Sequence, residues 1–484
     1  MDLKQFKHAH LVGIGGISIS AIAKLFLKGR VRVSGFDAAQ SEITDELERM
    51  GVRVVIGDAA AQLPDDVDVL IYSEAVPEHD ALRTQARKRG IAEMAGAEFW
   101  GQYSRGKKVI AISGTNGKST TTAMVGLMLC EAGFDPTVVV GTRVLAWDSN
   151  IRIGKSDWLV IEADEYAAKM LHYKPQIAVI TNIAPDHLDF YKDAADIIAR
   201  FQKWIDAMPA NGVVVVNRDD EASRALKIKK KMLRAFGVKG SSGVRAAGIS
   251  QASGASAWLG FLTFNIVDDR DDWGYINMRV PGEHTIANAV AAACAADSAG
   301  VPRKKICKAL TEFTGTWRRF EMVGEFRKAL VISDYAHHPD GIRATLKAAR
   351  DWYPFHRMLV LFQPHHHNRT KKLFRDFAAS FGRADEVIIS EIYDVSGRED
   401  KGDQDVSSKD LVDAVKNSPS FSRRGRGGGH VSYAKDLREA EAMLKAKIKP
   451  EDVVIVMGAG DVDAVARRLV ISSPPFTKGG ARGG

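Results

Sequence analysis

The stretch Ser113-Gly114-Thr115-Asn116-Gly117-Lys118-Ser119-Thr120 brings together the residue types that hold a phosphate chain. Glycines let the backbone fold tightly enough for its N–H groups to face an anion, and a helix starting near Thr121 adds positive potential at its N-terminus. Lys118 can reach the β- and γ-phosphates of a triphosphate, and the Ser119 hydroxyl can ligate Mg²⁺. The general phosphate-loop pattern has a further glycine where this chain has Ile112. The alternative is a glycine-rich turn that happens to contain lysine; the apolar strand before it and the helix after it argue against that.

A second glycine loop, Gly13-Ile14-Gly15-Gly16-Ile17-Ser18, follows an apolar run, and Asp37 ends the next one. Taken alone, this is a weak dinucleotide fingerprint with Ser18 in place of its third glycine, and it would suggest an NAD-dependent oxidoreductase. Any diphosphate can use the same cradle of backbone N–H groups at a helix start. Two further clusters close apolar runs: Glu162-Ala163-Asp164-Glu165, and Thr181-Asn182 followed by Asp186-His187. In an open α/β sheet the strand ends face the ligand crevice, and Glu162 stands at such an end. Asp164 and Glu165 read equally well as a surface turn.

Positioning these residues requires strands alternating with helices. Leu11–Gly13, Arg32–Phe36, Val52–Ile56 and Val67–Tyr72 read as strands of a first unit, residues 1–106. A fresh start at Lys107–Ile112, with Trp158–Ile161, Gln176–Ile180 and Val213–Val216, makes a second unit, 107–324. Ala329–Ile332, Met358–Phe362, Glu386–Ile389 and Val453–Val456 make a third, 325–471, and 472–484 is a Gly-, Pro- and Ser-rich tail expected to be disordered. The expected fold class is α/β, with three parallel-sheet domains in series. The 484 residues suit about three cores.

Hydrophobic residues at 45% and charged residues at 26% are ordinary for a soluble protein. No apolar run approaches the roughly 20 residues that span a bilayer, and the start lacks a signal-peptide layout. Cys130, Cys294 and Cys307 lack metal-ligand spacing and read as reduced packing residues, consistent with a cytoplasmic location. The net charge of +8 raises a nucleic-acid reading, but neither Lys227–Lys231 nor Arg423–Arg426 is interleaved with aromatics. Solvated faces and a general attraction to anionic substrates explain the charge better.

The 113–120 loop resembles that of the Mur ligases and their folylpolyglutamate synthetase relatives. Further matches fall in the family's order: Glu162–Glu165; Thr181–Ile183 with Asp186-His187; Gly282-Glu283-His284 with Asn288; Gly315–Glu321; and Asp334-Tyr335-Ala336-His337-His338-Pro339. The resemblance spans about residues 8 to 470. It implies a Rossmann-like first domain, a central ATPase-like domain and a Rossmann-like third domain. It also implies ATP and Mg²⁺ as cofactors and an acyl-phosphate route to an amide bond.

By that resemblance, Gly114 to Thr120 hold ATP, with Asn288 on the adenine side, Arg319 on phosphate or ribose and Asp334 on the ribose hydroxyls. Arg318 could instead be a surface cation with a packed stem. Ser119, Glu162 and His187 would hold Mg²⁺, and Lys118, Glu162, His187 and Arg319 would serve catalysis. Gly13, Gly15, Gly16 and Asp37 would receive the diphosphate of a UDP-sugar rather than NAD, since an ATP-loop domain follows directly. Glu74 stands where a small or hydroxyl residue is expected. Many family members carry a carbamylated lysine, but counting from His187 leads only to the Phe201-Gln202-Lys203 region, without an assignment.

Within the family, the branch that joins L-alanine to UDP-N-acetylmuramate is most similar, through Asp334–Pro339 and Gln363-Pro364-His365-His366-His367-Asn368-Arg369-Thr370. Tyr335, His337, His338, His365 and Arg369 would then meet the amino acid. Asn116 stands where this branch usually has histidine, and His366 where arginine is common. The alternatives are the branch that attaches a whole tripeptide and a catalytically idle scaffold; Lys118, Ser119, Glu162 and His187 together argue against idleness. The expected partners are the two substrates, with no nucleic acid, no membrane insertion, and a monomer or homodimer. Closure of the units on substrate would place a hinge near Gly324 to Lys328.

Overall fold

The computed structural model describes residues 1–57, 62–184, 190–229, 231–240, 243–252, 261–394, 405–422 and 429–471. Asp186, His187, Lys230, the Arg423–Arg426 run and the 472–484 tail lie outside the described residues.

The first sheet holds β1 (His8–Val12), β2 (Arg32–Asp37), β3 (Arg53–Ile56), β4 (Val69–Tyr72) and β5 (Ala92–Ala95) in the order β3-β2-β1-β4-β5. All its pairings are parallel. The order reverses at β1, so the loop leaving β1 opens at the switch point where such sheets bind ligands. Every residue of β1 is buried, the mark of a strand covered on both faces.

The second sheet holds β6 (Lys108–Ser113), β7 (Thr137–Val144), β8 (Ser149–Arg152), β9 (Trp158–Glu162), β10 (Ile177–Ile180), β11 (Val213–Asn217), β12 (Met232–Gly237), β13 (Val244–Ala252), β14 (Phe261–Val267) and β15 (Asp272–Met278). Its order is β15-β14-β13-β12-β11-β10-β6-β9-β7-β8. Parallel pairing of β6 with both β10 and β9 brings the ends of these three strands to one edge, and β8 folds back antiparallel on β7.

The third sheet holds β16 (Glu321–Phe326), β17 (Ala329–Asp334), β18 (Met358–Phe362), β19 (Glu386–Ser390), β20 (His430–Ala434) and β21 (Val453–Met457), ordered β16-β17-β21-β18-β19-β20. Only β16 runs antiparallel. Arg327 and Lys328, with φ of 51° and 66°, form the two-residue turn between β16 and β17. Two successive positive φ values match the twist of a tight hairpin. The Gly324–Lys328 stretch expected to be a hinge is therefore part of an antiparallel hairpin, whose ladder hydrogen bonds resist bending.

The described chain divides into two compact units. One comprises Met1–Ile249, Phe264–Ile276 and Thr285–Thr314; the other comprises Ser250–Thr263, Asn277–His284 and the chain from Gly315 onward. In the first, a continuous apolar cluster runs from Ile22, Phe26, Phe99 and Trp100 to Val109, Met170, Phe201 and Trp204. In the second, the cluster gathers Val331, Leu359, Leu361, Ile388, Val454 and Val456 beneath the helices Leu437–Lys447 and Asp463–Ile471. Each such side chain, once buried, contributes about 1.5–3 kcal/mol and holds the strand ends in place.

Candidate active site

β6 delivers the chain to the sheet edge, and the loop turns through Gly114 (φ 131°) and Gly117 (φ 84°) into the helix Lys118–Glu131. Both angles suit glycine, and neither position has room for a side chain: a Cβ at Gly114 would strike the Thr181 hydroxyl, and one at Gly117 the Asn288 amide. Asn288, expected on the adenine side, therefore lies against the loop itself.

The segment after β10 pins the loop. The Asn116 backbone N–H donates to Asn182 Oδ1 at 3.0 Å, while the Asn116 carbonyl accepts from Asn182 Nδ2 at 2.9 Å and from Thr181 Oγ1 at 2.6 Å. Thr115 Oγ1 donates to the Ala184 carbonyl at 3.2 Å. The Asn116 side chain is exposed, so its departure from the histidine usual in the alanine branch leaves the backbone cradle unchanged. Thr120 follows on the first helical turn.

Lys118 folds over its own loop. Its ammonium donates to the Gly114 carbonyl at 2.7 Å and pairs with Glu165 Oε2 at 2.7 Å. Burial disfavours the Lys118 charge, but Glu165, Asp164 and Glu162 together hold its pKa above the usual lysine value. Glu165 is 3% exposed, and burial pushes its carboxyl up to about 7 against the pull of Lys118. Burial also acts on Asp164, yet Lys118 and Lys169, the latter at 3.1 Å, keep it below the usual carboxylate range. Glu165 is thus no surface-turn residue, while the Asp164 side chain remains partly exposed beside Lys169. Glu165 is the residue that sequence reasoning left undecided, and its only signal was its place in the acidic run after β9.

Glu162 ends β9 and accepts from Ser119 Oγ at 3.1 Å and from the Gly141 N–H at 2.6 Å. A hydroxyl beside a carboxylate is a hard-oxygen pair of the kind Mg²⁺ takes, together with phosphate oxygens and water. Among the described residues no cluster of three or more His, Cys, Asp or Glu could hold a metal by itself. The donor set therefore fits a metal that arrives with a nucleotide, and the glycine cradle with Lys118 fits the nucleotide's phosphates.

The first loop has the same layout, with Ile17 where the second has Lys118. Gly13 has φ of 75°, and a Cβ there would meet Ser73 Cβ at 2.9 Å. The Gly15 N–H donates to Asp37 Oδ2 at 2.8 Å, and Gly16 caps the helix Ile17–Lys28. Asp37 thus shapes the loop, and Oδ1 also accepts from the Ala39 N–H at 3.2 Å. Glu74, the unexpected residue, accepts from the Ala97 N–H at 2.8 Å and so satisfies the start of the helix Gly96–Tyr103.

In the other unit, Asp334 ends β17 and accepts from the N–H groups of Phe320, at 2.7 Å, and Ala336, at 2.8 Å. Arg318 is buried, with its guanidinium on the Gly458 carbonyl and over the Tyr335 ring, so it is no surface cation. Arg319 covers Tyr335 at 4.9 Å. His337 Nδ1 meets the Tyr335 carbonyl at 2.9 Å, and its ring lies 6.1 Å from that of His365. Burial, with Arg369 nearby, pushes both imidazoles down to about 3, so each is neutral at physiological pH. His338 instead caps the helix Pro339–Trp352, and His366 sits at φ 66° with Nδ1 3.4 Å from Asp394. Asp394, also 2.5 Å from His367 Nδ1, and Tyr393, stacked on His365, complete this cluster without having been singled out in the sequence.

Family models match in the same order as the three sheets: "Mur ligase family, catalytic domain" at 8–108, "Mur ligase middle domain" at 112–296 and "Mur ligase, glutamate ligase domain" at 318–460. The chain belongs to the Mur ligase family. It is therefore an enzyme of the ATP-dependent ligase class, and its phosphate loop falls at the start of the Mur middle domain. A UDP-N-acetylmuramate–L-alanine ligase of Clostridium novyi is 37% identical over 96% of this chain and 97% of its own. One of Salinibacter ruber is 36% identical over 95% and 94%. The crystal structure of a Thermotoga maritima UDP-N-acetylmuramate-alanine ligase superposes with a TM-score of 0.80 at 26% identity, covering 96% of this chain and 98% of that one.

Proposed function

We propose that this Mur ligase joins L-alanine to the lactyl carboxylate of UDP-N-acetylmuramate through an acyl phosphate, with ATP and Mg²⁺, in peptidoglycan precursor synthesis. The observation that carries the reading is near-full-length similarity, at 36–37% identity, to relatives named for that reaction. No described helix is long and apolar enough to cross a membrane. By resemblance to the Mur ligases, we place the reaction in the cytoplasm.

A carboxylate is a poor acylating agent because its leaving group would be an oxide ion. Phosphoryl transfer to it makes an acyl phosphate that an amine can attack, and transfer between two anions chiefly needs positioning and charge neutralisation. Lys118 would turn from Glu165 to the β- and γ-phosphates, and Ser119 and Glu162, with His187 by resemblance, would hold Mg²⁺, which would supply the remaining neutralisation. Arg319 and Asp334 act on the nucleotide, and Gly13, Gly15 and Gly16 on the UDP diphosphate.

Arg369 holds the amino acid's α-carboxylate through paired hydrogen bonds. His337 and His365 are neutral, so the arginines carry the positive charge there, and Tyr335, with Arg318 and Arg319 at its ring, limits the pocket's size. A methylene is worth about 1–3 kcal/mol in such a pocket, so slow turnover of glycine or L-serine is expected. The test is product mass from ATP and UDP-N-acetylmuramate with L-alanine, glycine, L-serine, D-glutamate or the tripeptide. Turnover with the tripeptide but not L-alanine would assign the protein to the recycling branch.

A further inference from the structure

Lys24 lies in the middle of the helix Ile17–Lys28 and is only 7% exposed. A lysine so enclosed must be paired, because an uncompensated buried charge is strongly unfavourable. Its ammonium meets Glu46 Oε1 at 2.7 Å, Ser149 Oγ at 3.1 Å and Asn150 Oδ1 at 3.1 Å. Asn150 is 3% exposed, and its other amide atom, Nδ2, donates to the Ile17 carbonyl at 2.5 Å and to Ser20 Oγ at 3.0 Å. Arg143 approaches the second oxygen of Glu46 at 3.6 Å and Asp148 at 3.2 Å.

This cluster joins the helix that follows the first glycine loop to β8 of the second sheet. Ile17 opens the helix whose cap, Gly16, closes the first loop. Asn150 and Ser149 lie on β8, which pairs with β7, and on β7 the Gly141 N–H holds Glu162 beside Ser119. Directional bonds thus tie the start of the first helix to Asn150 on β8, β8 pairs with β7 at Val138, Val139 and Val144, and Gly141, in the irregular stretch of β7 between those pairs, holds the acid at the second loop. The apolar cluster shared by the two sheets also joins them, but apolar burial is non-directional and tolerates small slides. A buried ion pair adds little net stability, since desolvation offsets attraction, yet its hydrogen bonds are satisfied in one arrangement only.

We propose that Lys24 and Asn150 are positioning residues that fix the register between the diphosphate loop at Gly13–Gly16 and the triphosphate loop at Gly114–Ser119. The inference rests on the functional reading above, in which one loop carries the acyl substrate and the other the nucleotide. Transfer between them needs the attacking carboxylate in line with the γ-phosphate, and a misplacement of about 1 Å costs on the order of 100-fold in rate.

The experiment compares wild type with Asn150→Ala. Affinities for UDP-N-acetylmuramate and for a non-hydrolysable ATP analogue are measured separately by calorimetry, and kcat at saturation with L-alanine by phosphate release. On the proposal, kcat falls by about 30-fold or more while both affinities stay within about threefold, because each loop is intact and only their alignment is lost. A kcat within about threefold of wild type, or one that falls only with affinity or with the folded fraction seen by circular dichroism, overturns it. If Asn150→Ala does not fold, Ser149→Ala takes its place: a kcat loss of about threefold or more with both affinities retained supports the proposal, and an unchanged kcat overturns it. Absence of ligation by the wild type with these substrates would remove the functional reading and this inference with it. Turnover in the wild type with unaffected variants would remove the inference alone.

Discussion

The two glycine loops of the first unit have the same strand–turn–helix layout but different chemical outfits. At Gly13–Gly16 the Gly15 N–H donates to Asp37 at 2.8 Å, and the residue after the last glycine is Ile17, where the second loop has Lys118. At Gly114–Ser119 a lysine, a hydroxyl and two acids converge, with Lys118 on Glu165 at 2.7 Å and Ser119 on Glu162 at 3.1 Å. The shared layout provides oriented N–H groups that any phosphate can use. The added side chains are what group transfer requires, since they neutralise charge as it moves. On the proposed reading, the first loop holds its substrate, and the second holds and reacts.

The largest expected effect breaks that contrast at its strongest point. Lys118→Met should lower kcat/KM by about 1,000-fold or more, about 4 kcal/mol of barrier, with UDP-N-acetylmuramate affinity retained. Phosphate release and calorimetry read the two quantities, and activity within tenfold of wild type would remove Lys118 from its role.

Acid should distinguish the two sheets next. His10 on β1 is buried with its Nδ1 on Ser34 Oγ at 2.8 Å, and burial, then the neighbouring His8, lowers its pKa to about 4. Its folded pKa lies below the unfolded value of 6.5, so the unfolded chain binds the proton more readily. Stability from this group is full above pH 6.5 and is lost as the pH falls toward 4, by up to about 3 kcal/mol. Hydrogen exchange should show β1 and β2 opening over that window before β6, and His10→Asn should abolish the difference.

Gly15→Ala tests holding alone. Its Cβ would sit 3.0 Å from Asp37 Oδ2, 3.1 Å from Thr44 Cγ2 and 3.2 Å from Ser41 Oγ. The KM for UDP-N-acetylmuramate should rise about tenfold, equivalent to about 1.4 kcal/mol, with the KM for ATP unchanged in steady-state kinetics. Equal rises in both would mean that the two loops do not divide the substrates.

The smallest effect should come from Asn116→His. The loop is held there through the Asn116 backbone, and the side chain is exposed, so kcat/KM should change less than about threefold. A larger change would give the Asn116 side chain a contact with the nucleotide.

By itself the sequence determined the α/β class and most of the central strands. Continuous apolar runs such as Val109–Ile112, Met358–Phe362 and Val453–Val456 are buried on both faces, and such runs betray themselves by composition. Both glycine loops were legible as well, because a backbone that must reach positive φ narrows the residue choice locally. The edge strands β16 and β20, half-exposed, carried no such signal, and β16 turned an expected hinge into a hairpin.

Only the tertiary structure decided where the charges lie. Glu165 and Lys24 are 47 residues or more from one or more of their partners, as Lys118 Nζ–Glu165 and Lys24 Nζ–Asn150, 126 residues apart, illustrate. Asp37 and Glu74 became braces for backbone N–H groups, and Arg318 was drawn inside to the Gly458 carbonyl. A local pattern specifies the backbone's conformation, whereas desolvation and pairing of a charge depend on which distant segments the fold packs around it.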